Sequence, residues 1–76
     1  MKYEGTSWED SYNNAIRLFE NAKYFSDMNA KSRQLKKAWN AAFGLPDDYP
    51  GRDRLMDNID NYASGCGIDL SQVSGY

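Results

Sequence analysis

The sequence predicts an all-α protein, a compact three-helix bundle closed by a short C-terminal helical turn. Apolar residues recur at spacings of three and four in three segments, as on one face of an amphipathic helix. No segment alternates polar and apolar residues over the length of a strand. The segments are joined by short connections, which make neighbouring helices antiparallel. The predicted helices span residues 7–27, 30–43 and 50–64, the turn spans 69–74, and all belong to one domain, 1–76.

The first helix has a start signal and a long apolar stripe. Thr6 and Glu9 have the spacing of a capping box, in which each side chain satisfies the other residue's backbone N–H. Its end falls in the segment 26–32, where several polar residues are alternative caps. The apolar stripe consists of Trp8, Tyr12, Ala15, Phe19 and Ala22, widened by Ile16, Leu18 and Phe25.

The second helix ends at the clearest local signal in the chain. Gly44 is predicted to take the left-handed conformation, Leu45 to fold back on the last turn, and Pro46 to prevent the helix from continuing. The apolar face of this helix consists of Leu35, Ala38, Trp39 and Ala42, with Phe43 beside them.

The third helix is predicted to start at Pro50, because a missing N–H costs nothing at the first helical position. Its inward residues are Leu55, Ile59 and Tyr62, with Met56 and Ala63 beside them. In the last turn, Asp69 and Gln72 have the spacing of a second capping box.

Composition excludes most kinds of chemistry. The chain has 76 residues, 41% of them hydrophobic, with no histidine and one cysteine. Without histidine it lacks the commonest general base and metal ligand, and Cys66 has no base to activate it and no partner for a disulfide. Asp53, Asp57 and Asp60 share one helix face, which is most simply a solvated acidic face. We expect a protein that is not an enzyme and binds no metal or cofactor.

Location follows from the same composition. A single cysteine favours a reducing compartment over secretion. No apolar run reaches the length of a membrane span, and the first ten residues lack the apolar core of a signal peptide. We therefore expect a cytoplasmic protein with no membrane contact, or one in the host-cell cytoplasm if it is phage-encoded.

Charge is organised along the chain. The net charge is −2, which is mild for a nucleic-acid-binding protein or a nucleic-acid mimic. Residues 29–45 carry four basic and no acidic residues, whereas residues 46–76 carry two basic and six acidic residues. We expect the second and third helices to neutralise each other in part across a shared edge.

The acidic loop and exposed tyrosines predict a protein-binding surface. Tyrosine is typical of interface hot spots, and an acidic loop suits a partner with a basic surface. The predicted function is a stand-alone binding module, an inhibitor or regulator that occludes a larger protein. Phage-encoded inhibitors of host defence or host enzymes and immunity-type proteins are examples of that class. The predicted partner-binding residues are Asp47, Asp48, Tyr49, Asp53, Asp57 and Tyr24.

The sequence also predicts two alternative kinds of partner, a nucleic acid and a second copy of the chain. Arg33, Lys36 and Lys37 form a basic cluster on the second helix that would neutralise phosphates of a nucleic acid. Three wide apolar helix faces in a short chain would also leave some apolar surface uncovered, which a homodimer would bury.

The stretch LPDDYPGRDRLMDNI, residues 45–59, resembles a loop and helix of the barstar-type ribonuclease inhibitors. The resemblance implies that this segment presents acidic and aromatic groups to a basic enzyme cleft. It covers about fifteen residues. That family also contains a parallel sheet, which nothing in the present sequence predicts.

Overall fold

The computed structural model describes residues 7–73, which form three α-helices and one short 3-10 helix. No strand occurs within this range, so the predicted all-α bundle with a C-terminal turn is confirmed. Thr6, the expected cap of the first helix, and residue 74, the expected end of the last turn, lie outside the described residues. The elements are α1 (Ser7–Ala22), α2 (Met28–Phe43), α3 (Arg52–Gly65) and the 3-10 turn Leu70–Gln72.

The second helix lies antiparallel to the other two. Near its start, Lys31 Nζ donates to the hydroxyl of Tyr62 near the end of α3, at 3.3 Å. At its other end, the Phe43 carbonyl accepts from Arg52 Nη2 at the start of α3, at 3.2 Å. The rings of Phe19 and Tyr62, whose centroids lie 5.8 Å apart, join the C-terminal halves of α1 and α3. The bundle therefore runs up, down and up.

The core consists of a few large side chains separated by alanines. Leu35 and Ile59 are the largest side chains that are completely buried. Small residues let the helix backbones approach closely, and each large one contributes roughly 1.5–3 kcal/mol by leaving water. The buried helical apolar residues are Ala15, Phe19 and Ala22 of α1, Leu35, Ala38 and Ala42 of α2, and Leu55, Ile59 and Ala63 of α3. All nine belong to the predicted apolar faces.

The boundary between α1 and α2 differs from the prediction. α1 was expected to reach residue 27 but ends at Ala22. The N–H groups of residues 23–25 donate to carbonyls three residues earlier, which tightens and ends the helix. The Asp27 carboxylate accepts from the Asn29 N–H at 3.1 Å, so α2 begins at Met28 instead of residue 30.

α2 ends at the predicted residue, Phe43, but the backbone conformation that ends it differs from the prediction. Gly44 has φ −71°, so it continues the right-handed conformation and the predicted left-handed cap is wrong. Its N–H donates to the Asn40 carbonyl at 3.0 Å, and the Leu45 N–H donates to the Ala42 carbonyl at 3.1 Å. Leu45 folds back against the bundle as predicted and is only 3% exposed.

The start of α3 is set by a turn that the prediction overlooked. Pro50 is not the first helical residue, because α3 starts at Arg52. The Arg52 N–H donates to the Tyr49 carbonyl at 3.1 Å, which closes a four-residue turn. Within it Gly51 has φ 87° and ψ −7°, the values of the third residue in a type II turn. Proline followed by glycine is the usual sequence of that turn.

The C-terminal turn is capped by one side chain and fastened to α2. The Asp69 carboxylate accepts from the Ser71 N–H at 3.0 Å and from the Ser71 hydroxyl at 2.6 Å. These two hydrogen bonds lower the pKa of Asp69. The predicted reciprocal bond from the Gln72 side chain is not formed within residues 7–73. Lys36 Nζ donates to the Leu70 carbonyl at 3.1 Å and so holds the turn against α2.

The expected neutralisation between α2 and α3 does not occur as direct pairing. Within residues 7–73, no salt bridge joins the two helices. The α2 lysines that face this edge bind uncharged groups instead, since Lys31 donates to the Tyr62 hydroxyl and Lys36 to the Leu70 carbonyl. In the described part of the chain, the cations of α2 and the carboxylates of α3 are therefore not joined to each other in salt bridges.

Candidate functional site

Three of the predicted partner-binding carboxylates lie together at one end of the bundle. Asp47, Asp48 and Asp53 are all exposed and line one groove together with Tyr12 of α1. Tyr49 lines the same groove. We call these five residues the acidic corner.

Two successive turns shape the loop that carries this corner. The Tyr49 N–H donates to the Pro46 carbonyl at 2.9 Å, and the Tyr49 carbonyl accepts from the Arg52 N–H. The first turn places Asp47 and Asp48 at its tip. Because each turn is closed by its own backbone hydrogen bond, the loop has a defined shape.

The guanidinium of Arg52 lies beneath the loop and contacts residues of α2, the loop and α3. Its Nη1 donates to Asp53 Oδ1 at 3.0 Å, and its Nη2 donates to the Phe43 carbonyl and lies 3.7 Å from Asp47 Oδ1. The guanidinium carbon also lies 5.4 Å from the centroid of the Phe43 ring. One buried cation thus connects the end of α2, the loop and the start of α3, and it lies where a helix C-terminus favours positive charge.

The burial of Arg52 is the main feature that the sequence interpretation missed. Arg52 is 9% exposed, although charged side chains are seldom buried unless they are paired. Helical spacing carried the signal, since Arg52 precedes Leu55 by three residues and Ile59 by seven and so lies on the buried face. The Pro50–Gly51 pair that precedes α3 was also readable as the centre of a type II turn.

Tyr49 is buried, which corrects the expectation of an exposed tyrosine in the loop. It is 8% exposed, and its ring centroid lies 5.2 Å from that of Tyr12 with the planes tilted by 37°. Burial, then the nearby Glu9 carboxylate, then Tyr12 raise the pKa of the Tyr49 phenol. Tyr49 therefore fastens the loop to α1, which is an intramolecular role that the sequence did not predict.

The other two predicted partner-binding residues lie outside the corner. Asp57 is exposed one turn along α3 from Asp53, on the same face. Tyr24 is 86% exposed, as expected, but it follows α1 at the opposite end of the bundle, about 15 Å from Tyr12 along the helix. Tyr24 and the acidic corner therefore belong to different surfaces.

The basic cluster on α2 separates into two kinds of side chain. Lys36 is engaged by the Leu70 carbonyl and lies over the Trp39 ring, 5.1 Å from its centroid. Arg33 and Lys37 are exposed and line a groove with Phe25. Two of the three predicted cations are thus available to a ligand.

The described part of the chain shows neither a metal site nor a membrane span. Among residues 7–73, no three side chains of histidine, cysteine, aspartate or glutamate are grouped so that they could hold a metal ion. Within the same range, every helix is too short or too polar to cross a bilayer.

Comparison of the chain with protein-family models, curated proteins and solved structures found no match. The segment 45–59 does form a loop followed by a helix, as its resemblance to the barstar-type inhibitors implies. The parallel sheet of that family has no counterpart within residues 7–73.

Gly51 has a positive φ and lies close to the Tyr12 hydroxyl, and each of these features favours glycine at this position. A matched pair of variants separates the two effects. A Cβ added to Gly51 would lie 2.6 Å from the Tyr12 hydroxyl, whereas one added to Gly67, at φ 79°, would have no atom within 4 Å. We expect Gly67→Ala to lower the free energy of unfolding by about 1–2 kcal/mol through backbone strain alone. Gly51→Ala should cost roughly 1–3 kcal/mol more, because Tyr12 must move away from Tyr49. Equal losses in urea unfolding would show that the Tyr12 contact has no energetic role.

The burial of Tyr49 is testable by titration. Its pKa in the folded protein is raised above the unfolded value of about 10, so folding favours the neutral phenol. The resulting stabilisation is complete below about pH 10 and is lost as pH rises through the folded pKa. In a tyrosinate absorbance titration, Tyr49→Phe should remove a late-titrating component that the control Tyr24→Phe retains. Persistence of that component in Tyr49→Phe would contradict the assignment.

Proposed function

We propose that this protein binds another protein through the acidic corner and acts by covering a basic surface on it. The proposal is carried by the display of three carboxylates, two on a loop fastened from beneath and one in the first turn of α3. The Asp47 side chain is fully exposed and that of Asp53 is 80% exposed, while the Arg52 beneath them is buried. An inhibitor or regulator that occludes a cleft needs such a projecting, charged surface.

Rigidity of the corner supports binding. The loop is held by two backbone turns, by the Arg52 guanidinium and by the contact of Tyr49 with Tyr12. A loop already in one shape loses little conformational entropy when a partner docks on it, so more of the contact energy remains as affinity. Tyr49 contributes to this function as the support of the loop.

Charge at this end of the bundle favours a basic partner. The first turn of α1 adds Glu9 and Asp10 to the three carboxylates of the corner. Among the described residues at this end, the opposing cations are the buried Arg52 and the exposed Arg54. An excess of negative charge steers a basic surface towards the corner, and that attraction weakens as salt rises.

Nucleic-acid binding through α2 has less support. Of its three predicted contacts, Lys36 is bound to the Leu70 carbonyl, which leaves Arg33 and Lys37. Two cations on a chain of net charge −2 give a small electrostatic contribution to phosphate binding. We therefore propose the protein partner alone.

Reversal of charge at the corner should abolish partner capture. Immobilised intact protein is compared with Asp47→Lys/Asp48→Lys in affinity capture from a lysate of the source cells, at low and at physiological salt. Proteins held by the intact chain should be recovered at least tenfold less by the variant, because attraction becomes repulsion. Recovery by the intact chain should also fall as salt rises.

The matched control is Glu20→Lys/Asp60→Lys. Both residues are exposed, both lie away from the loop, and the double change alters net charge by the same amount. It should capture the same proteins as the intact chain. Equal capture by the corner variant and the control would refute the proposed site.

A further inference from the structure

A second charged surface lies beside Phe25 and extends along α2 from Ala30 to Lys37. Phe25 lies beside α2 in a groove also lined by Ala30 and Gln34, with Arg33 and Lys37 among its lining residues. Arg33 and Lys37 are four residues apart and therefore share one helix face. We call these five residues the basic groove.

The two cations of the basic groove have no partner within residues 7–73. Neither Arg33 nor Lys37 forms a hydrogen bond, salt bridge or ring contact in that range. The other α2 lysines are engaged, Lys31 by Tyr62 and Lys36 by Leu70. Phe25 remains 36% exposed between the chain turn and α2. The groove thus offers an aromatic surface with two uncompensated positive charges.

The acidic end carries a surface of the complementary kind. Phe43 is 57% exposed, and its ring stacks on Trp39 with centroids 5.2 Å apart and planes 10° from parallel. Arg52 holds the carboxylates of Asp47 and Asp53 beside it. We call Phe43, Asp47 and Asp53 the acidic knob, an exposed aromatic ring and two carboxylates that all contact Arg52.

We propose that the basic groove of one copy of this chain receives the acidic knob of a second copy. Phe43 would cover Phe25, while Asp47 and Asp53 would approach Arg33 and Lys37. Each surface carries one exposed aromatic ring, and the exposed charges are two cations in the groove and two carboxylates, held by the buried Arg52, in the knob. Charge complementarity of this kind fixes which surfaces meet.

The arrangement limits the form of the assembly. The groove and the knob are different surfaces of the chain, so one contact between two copies leaves one groove and one knob unused. These either pair with each other in a closed dimer or bind further copies, and association rises with concentration in both cases. The inference rests on the acidic corner being an accessible binding surface, as proposed above, because Asp47 and Asp53 belong to both. A corner occupied by a second copy is closed to another partner.

A nucleic acid fits the basic groove less well than a second copy does. The affinity for a polyanion depends on the number of phosphates that cations neutralise, and the groove supplies two cations. The chain as a whole is negative, which repels a polyanion but leaves a local contact between opposite charges intact at short range.

Sedimentation velocity with two neutralised variants tests the contact. The knob variant is Asp47→Asn/Asp53→Asn, and the groove variant is Arg33→Gln/Lys37→Gln. In low salt, the average mass of the intact chain should rise above the 8.7 kDa of the monomer as concentration increases towards about 1 mM. Each variant alone should associate at least tenfold more weakly. An equimolar mixture should stop at twice the monomer mass, because only one intact groove can meet one intact knob.

Several results would overturn the proposal. The intact chain would keep the monomer mass at the highest concentration, the groove variant would associate as strongly as the intact chain, or the equimolar mixture would stay monomeric. A fluorescent single-stranded DNA oligonucleotide that binds the intact chain but not the groove variant, with the protein still monomeric, would assign the groove to nucleic acid instead. The groove variant keeps the acidic corner, so its performance in partner capture reports on the proposed function separately.

Discussion

The arrangement of this small bundle depends most on the buried guanidinium of Arg52. It lies between the last carbonyl of α2, the carboxylate of Asp47 in the loop and that of Asp53 at the start of α3. Without this cation the end of α2 would lose its favourable charge, and the two aspartates would repel each other. The partners of Arg52 are exposed, so its pairs contribute shape more than stability.

The bundle keeps two groups of charged side chains that form no salt bridge between α2 and α3 within residues 7–73. Lys31 and Lys36 donate to uncharged oxygens, although Lys36 also lines a pocket with Asp60 and Asp69. Asp47, Asp48 and Asp53 lie together at the loop, and Arg33 and Lys37 lie together beside Phe25. Both surfaces include a partly exposed aromatic ring beside their charges, which is the composition of a protein-binding surface.

Sequence patterns predicted the core well and the corner poorly. Helical periodicity found Leu35 and Ile59 because burial on one face is what that periodicity records. Helix ends were displaced because they depend on single hydrogen bonds, such as the one from the Asn29 N–H to Asp27. Exposure of Asp47 and Asp53 was predictable from charge, whereas the burial of Tyr49 against Tyr12 was not. That contact joins residues far apart in the chain, and no local pattern records it.

Hydrogen exchange at the loop amides tests the central role of Arg52 most directly. Methionine in its place retains most of the apolar stem and removes the charge and the buried Nε, which has no hydrogen-bond partner within residues 7–73. Global stability of Arg52→Met should change by less than about 1.5 kcal/mol, as is common when a buried ion is replaced by an apolar group. The Tyr49 and Arg52 amides should nevertheless exchange at least tenfold faster, with the exposed Arg54→Met as control. Unchanged protection of these amides in Arg52→Met would contradict the account.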